Sequence, residues 1–455
     1  MTAKKSSAHT PSSIRARRAG STSTPDDLGP QIALPLPRYE KPRSAVSLEG
    51  NRHRVVGLFA GIGGIELGLH RAGHSTEILC ENDPVADAVL SARFPDIPRH
   101  DDVRTLHSLP DGTSLIAAGF PCQDLSQCGM TAGISGLRSG LVGEVFRLAK
   151  QHQTPWILLE NVPFMLQLAR GEAMHVIATA FEELGYRWAY RVVDSRAFGL
   201  PQRRRRVYFV AARTGDPRTV LFADEAGPVE EPRLNGHPVA CGFYWTEGNR
   251  GVGWAVDATP TLKGGSGLGI PSPPAVWLTD GRVVTPEIRD AERLQGFPID
   301  WTKPAERVAK RGVRWKLVGN AVGVKAAEWI GRRMARPGPP IDLETVAMVD
   351  HRHWPAAAWN MGEGRQRVAA SEWPLQREYQ SLEAFLRYSP NLLSEKASAG
   401  FLLRAEKAER ARALRFAPGF LDALRQHLAG MRQSTTTTRV TRSRRKAPLS
   451  TSDAV

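Results

Sequence analysis

RVVGLFAGIGGIELGLHRAG, residues 54–73, decides the fold. Its opening run is apolar and partly β-branched, the pattern of a short strand buried on both faces. FAGIGG (59–64) follows without a spacer. Glycines there permit a tight turn and let backbone approach a ligand closely. IELGLHRAG then has helical spacing and stops at Gly73, where a glycine commonly ends a helix. The start of that helix favours polar or negative ligand groups. Strand, glycine turn and helix in this order open a nucleotide-binding α/β unit. The spacing is not GxGxxG, which argues against a dinucleotide.

Working outward, the alternation continues. STEILCEND (75–83) reads as a strand and PVADAVLSARF (84–94) as a helix opened by Pro84. SLIAAGF, LVGEVFRLAKQ, PWILLENV and AMHVIATAFEELG repeat the pattern, and RWAYRVVDS and RRVYFVAAR add two strands. This spacing predicts a doubly wound, mostly parallel α/β sheet over residues 51–213. Residues 214–284 break the rhythm: they are rich in Gly, Pro and Trp, with short strand-like pieces (HPVACGFYW, PAVWLTD), and read as a loop-rich insert. Trp245, Trp254 and Trp277 read as a small core of that insert. Helical pattern returns over 285–335 in PEIRDAERLQGF and AVGVKAAEWIGRRMA. RPGPP (336–340) marks a boundary, and the extension to 431 reads as mostly helical. Residues 1–50 and 432–455 read as disordered basic arms.

The chain has 61 Lys and Arg against 46 Asp and Glu, a net charge of +15. That balance points to a polyanionic partner, nucleic acid before membrane. No stretch of 18 apolar residues and no secretory signal is present, so a soluble, cytoplasmic protein is expected. The four cysteines, Cys80, Cys122, Cys128 and Cys241, form no CxxC pair. With no His cluster to complete a set, no metal site is expected.

Three strings carry the chemistry. Cys122 follows Gly119-Phe120-Pro121 at the carboxyl end of a strand, the edge that holds the active site in open α/β sheets. A thiolate there is a nucleophile when cations or a helix start lower its pKa. The loop from Gln123 to Arg138 reads as a lid. Glu160 ends the strand WILLE at the same edge, and a carboxyl group in a closed pocket can donate to a ring nitrogen. Four arginines, 203–206, open a later strand. Alternation sends Arg204 and Arg206 to one face and Arg203 and Arg205 to the other. Glu81 ends the second strand, where a carboxylate binds ribose hydroxyls, and Asp102 precedes the next strand, where it could bind a base edge.

In their order these strings resemble the DNA (cytosine-5)-methyltransferases of bacterial restriction-modification systems, over about residues 54–335. FAGIGG resembles the cofactor motif, GFPCQ the nucleophile motif, ENV (160–162) the carboxylate motif and QRRRR (202–206) the arginine motif. RDAERLQGFP (289–298) and GNAV (319–322) resemble the last two. The resemblance implies S-adenosylmethionine as cofactor, held by Phe59, Ala60, Gly61, Gly63, Gly64, Glu81, Asp102, Pro121, Leu141, Asn320 and Val322. It implies Cys122, Glu160, Arg204 and Arg206 as catalytic residues acting on a flipped cytosine of duplex DNA. Gln123, Ser126, Arg138, Thr261 and Leu262 are the implied DNA contacts, and the insert is the implied target-recognition region. A monomer is expected, with a cognate endonuclease as a possible counterpart. A catalytically silent DNA-binding relative and an RNA cytosine-5 methyltransferase are the competing readings. One departure stands out: the family usually has Asp before LFAG, and here Gly57 takes its place. Glu66 is a candidate to supply the missing carboxyl.

Overall fold

The computed structural model describes residues 50–121, 140–231, 239–247, 251–265, 273–310, 312–350 and 352–444, with side chains as far as residue 433. Arg54–Leu58 forms β1, buried at four of its five residues. Gly64–Arg71 forms α1 and Ser75–Cys80 forms β2. Pro84–Arg93 is α2, where the Asp83 side chain accepts from the Val85 N–H and so caps the helix. β3 (Arg99–His100), β4 (Leu115–Gly119), α3 (Leu141–His152), β5 (Trp156–Asn161) and α4 (Glu172–Glu183) continue the alternation. β6 (Arg187–Asp194), β7 (Gln202–Arg203) and β8 (Arg205–Ala212) follow.

β1 lies between β2 and β4, pairing with both in parallel. The chain therefore runs outward through β2 and β3, then crosses back to β4 and β5. Their carboxyl ends diverge at that reversal and leave a crevice. FAGIGG leaves β1 into it, and Phe120-Pro121 leaves β4 beside it. Val56, Leu58, Ile116 and Ala118 pack on one face of the sheet with Val145 and Phe146 of α3. Val55, Leu115 and Ala117 pack on the other with Ile65 and Leu69 of α1. Both faces of these strands are buried, which is why the strands read as unbroken apolar runs.

Within residues 51–213 the sheet is mostly parallel, as expected: β1 through β5 all pair in parallel. β8 runs antiparallel to both β5 and β6. The extension past residue 340, expected to be mostly helical, begins with three strands instead. They are β14 (Thr345–Ala347), β15 (Ala357–Asn360) and β16 (Arg365–Val368), and they continue the same sheet through an antiparallel β15–β6 pairing. The result is a mixed ten-stranded sheet ordered 14-16-15-6-8-5-4-1-2-3.

A second, smaller sheet holds the insert. β10 (Ala255–Val256), β9 (Cys241–Phe243), β12 (Ala275–Trp277) and β13 (Val283–Thr285) lie side by side in that order, and β17 (Asn391–Leu392) of the extension adds the last strand. β11 (Thr259–Pro260) pairs with β7 instead and joins the insert to the arginine segment. α5 (Ile288–Leu294), α6 (Val313–Asn320) and α7 (Val324–Ala335) return the chain to the large sheet. α8 (Glu395–Arg410) and α9 (Phe420–Arg444) cover the small sheet. Their Phe401 and Phe420 share one apolar cluster with Phe243, Trp245, Trp254 and Trp277. The insert tryptophans pack against this core, as expected, but more than half of it comes from the extension.

Candidate active site

A cavity of about 850 Å³ opens at the reversal between β1 and β4. Phe59, Gly61, Glu81, Asp102, Pro121, Leu141, Glu160, Arg206 and Asn320 all line it. Phe59 has a φ of 53°, in the left-handed region, as do Gly61 and Gly63. A non-glycine residue pays roughly 1–3 kcal/mol for that conformation. Here it turns the chain at once from β1 into the cavity wall. Glu81 accepts from the Gly61 and Asp83 backbone N–H groups at 2.7 and 2.8 Å, so the end of β2 is tied to the glycine turn. Burial raises its carboxyl pKa despite those bonds. Asp102 is gripped by the Arg104 guanidinium through contacts of 2.6–3.0 Å, which hold its pKa down at about 2.

Other cofactor candidates sit behind the wall. Ala60 packs with Ile62 and Leu79, and Gly63 lies against the Phe94 ring. Gly64 meets the Val322 carbonyl, while the Val322 side chain packs with the core beneath α7.

Glu160 is buried at the end of β5, with Arg206 of β8 beside it: Nε donates to Oε1 at 3.0 Å. Register makes the pair, because β5 and β8 are antiparallel and their cavity ends coincide. Burial raises the Glu160 pKa; the Arg206 charge opposes it and falls short. The carboxyl is therefore easier to protonate than an exposed one, which suits a group that must offer a proton to a ring nitrogen.

Arg204 departs from its expected role. It is buried, but its guanidinium donates to the carbonyls of Leu262 (3.1 Å), Gly319 (3.4 Å) and Ala321 (2.5 Å) rather than to Glu160. Burial lowers its pKa to about 9. Its fork staples the insert to the GNAV segment. Gly319 is needed there, because a Cβ would lie 2.1 Å from the Lys263 backbone.

Thr261 and Leu262 also differ from the DNA contacts expected of them. The Thr261 hydroxyl donates to the Arg203 carbonyl at 2.8 Å, and the Leu262 N–H donates to Gln202 at 3.0 Å. The Leu262 side chain is buried beside Leu294 and Val318. Both residues anchor the insert, and Thr261 also borders a cleft lined by Arg196, Arg203, Arg205 and Arg206, with Glu231 paired to Arg196 and Glu372 to Arg205. Cys122, Gln123, Ser126 and Arg138 lie outside the described residues, and the cavity contact at that point is Pro121.

Sequence reasoning missed Asn161. Its amide donates to the Phe120 carbonyl at 3.1 Å and its Oδ1 accepts from the Val162 N–H. It thereby ties the end of β5 to the end of β4, one peptide before Pro121. An amide-bearing residue closing an apolar strand was the available signal. Trp301 was missed too; its indole N–H donates to the Ile62 carbonyl at 2.8 Å and holds the glycine turn from outside.

Gly57 is explained by packing. A side chain at this position would collide with Glu66, whose Oε1 lies 2.2 Å from where a Cβ would stand. The Glu66 carboxyl fills that space, fully buried. Neither oxygen has a hydrogen-bond partner among the described residues. Desolvation raises its pKa to about 8.

A glycine turn after the first strand, an acid after the second and a buried carboxyl–arginine pair in one cavity define an α/β group-transfer enzyme. The signature of the C-5 cytosine-specific DNA methylase family matches residues 53–236. The Type II methyltransferase M2.BsuMI of Bacillus subtilis is 50% identical over 78% of this chain and 93% of its own. The Type II methyltransferase M.SsoII of Shigella sonnei is 29% identical over 63% of this chain and 81% of its own. Among solved structures, the S. pombe Dnmt2 methyltransferase aligns with 62% of this chain and 98% of its own, at 18% identity and a TM-score of 0.42. The chain belongs to the C-5 cytosine-specific DNA methylase family and is a DNA cytosine-5 methyltransferase.

Proposed function

We propose that the protein transfers a methyl group from S-adenosylmethionine to C5 of a cytosine turned out of duplex DNA, by way of a transient bond between the Cys122 sulfur and C6. The carrying observation is that the Glu160–Arg206 pair shares one cavity with the glycine turn and Glu81. A cavity with a carboxyl at the end of β2 and a glycine turn suits an adenosyl ligand. The buried carboxyl suits the polar edge of a pyrimidine.

Bound there, S-adenosylmethionine supplies an electrophilic methyl group. The ribose hydroxyls fall to Glu81, whose oxygens are already aimed by Gly61 and Asp83. Asp102, kept ionised by Arg104, suits the adenine amino group. Cytosine C5 is a weak nucleophile while the ring is aromatic. Addition of the Cys122 thiolate to C6 places an electron pair at C5, and Glu160 stabilises the proton on N3 that offsets the developing charge. Arg206 fixes Glu160 and the base. C5 takes the methyl group, water removes the C5 proton, and the electrons of that bond expel the thiolate. Stacked in a duplex, C6 is out of reach, so the base must leave the helix. The kinship with restriction-modification enzymes makes an endonuclease with the same target the natural counterpart.

Duplex DNA in which 5-fluorocytosine replaces cytosine tests the covalent step. Fluorine cannot leave as a proton does, so with cofactor present the wild-type protein should form a complex that survives denaturant. Cys122→Ala should form none and transfer no methyl from labelled cofactor. Persistent methyl transfer by that variant would refute the reading. Transfer to transfer RNA but not to duplex DNA would replace it with an RNA activity.

A further inference from the structure

We propose that one face of α8 is a second DNA surface that grips the phosphate backbone beside the recognition site. The inference rests on the reading of duplex DNA as substrate. Lys396, Leu403, Lys407 and Arg410 recur at spacings of seven, four and three, so they share one stripe of the helix. All four are exposed, Leu403 at 72%. The three cations have no ion pair among the described residues.

The opposite arrangement holds on the flank of α8 that faces α9. There Glu406 pairs with Arg425 at 2.8 Å and Glu395 pairs with Arg432 at 3.2 Å. Two of the helix's three acids go to the helix–helix contact and the third, Glu409, is exposed, while the cations of the outer stripe have no ion pair among the described residues.

Position favours DNA as the occupant. Arg404 lies beside the stripe and donates to the Trp245 carbonyl at 2.7 Å and the Glu247 carbonyl at 3.0 Å. That pins α8 against the 245–247 loop of the insert. Glu247 in turn pairs with Lys263, the residue after the Thr261-Leu262 anchor beside the arginine cleft. A continuous set of contacts therefore runs from the catalytic strand through the insert to α8. A duplex lying along the insert meets the unpaired cations next. Long cationic side chains around one apolar residue suit phosphates flanking a deoxyribose, and they carry no base preference.

The test uses the full chain and a fluorescein-labelled random-sequence duplex, with affinity measured across a range of salt. Each lost phosphate contact flattens the slope of log K against log salt by about 0.9. K396A/K407A/R410A should flatten it by about two to three units and weaken binding roughly tenfold or more at low salt. Its initial methylation rate at saturating DNA and its melting temperature should match the wild type. K396R/K407R should keep the wild-type slope. An unchanged slope in the alanine variant overturns the proposal, as does a flattened slope in the arginine variant. Failure of the wild-type protein to bind duplex at all would instead sink the DNA reading itself.

Discussion

Glu66 shows at residue scale how a change at one position is absorbed by another. Gly57 removes a side chain from β1 and the Glu66 carboxyl enters the space. Burial shifts its pKa to about 8, so the folded chain keeps a proton that an unfolded chain loses near the ordinary value of 4.5. Between those values the folded state binds more protons, and stability falls as pH rises. Glu66→Gln should therefore gain stability over the parent as pH is raised from 5 to 8, with the gain levelling off above about 8. Thermal melts of both proteins across that range check it; a difference that ignores pH would show that Glu66 is ionised in the folded chain. The glycine was legible in the sequence as a departure from the family pattern. That Glu66 overlies it depends on α1 crossing β1, a tertiary fact.

At the scale of elements, two arginines that alternation places on one face divide their labour. Arg206 reaches Glu160, while Arg204 reaches three carbonyls on two other segments. Arg206→Met should leave the fold nearly intact and lower kcat at least a hundredfold, because Glu160 loses its orienting partner. Arg204→Met should cost about 3–5 kcal/mol, as buried carbonyls lose a charged donor together. Urea unfolding and steady-state kinetics on the two variants separate these effects; equal losses of stability would contradict the division. Alternation told which arginines share a face. It did not tell which would meet a carboxyl, because that follows from the antiparallel register of β5 and β8.

At the scale of the whole molecule, the extension past residue 340 has a structural role in two places. β15 pairs with β6, and Trp354 packs against Trp188 and Tyr190. β17, α8 and α9 complete the core of the insert. Ending the chain at residue 340 would strip cover from the buried aromatic residues of both sheets. The truncated protein should aggregate on expression rather than survive as a methylase with altered site preference; a soluble, active truncation would show the extension to be dispensable. The smaller lobe is therefore discontinuous, built from the described residues of 239–285 and of 382–433. No local pattern marks such a partnership, because the two segments are about a hundred residues apart.

The amino-acid sequence by itself determined the α/β order, the glycine turn and the carboxyl-edge positions of Glu81 and Glu160. Those depend on local periodicity and on side chains at strand ends, both of which survive in a one-dimensional string. Tertiary structure alone decided that β8 runs backwards, that Arg204 is a staple, that Leu262 is core, and that a distant extension finishes the smaller lobe. Each of these depends on which backbone groups and apolar faces remain unsatisfied after the elements form, and only packing between segments remote in the chain can satisfy them.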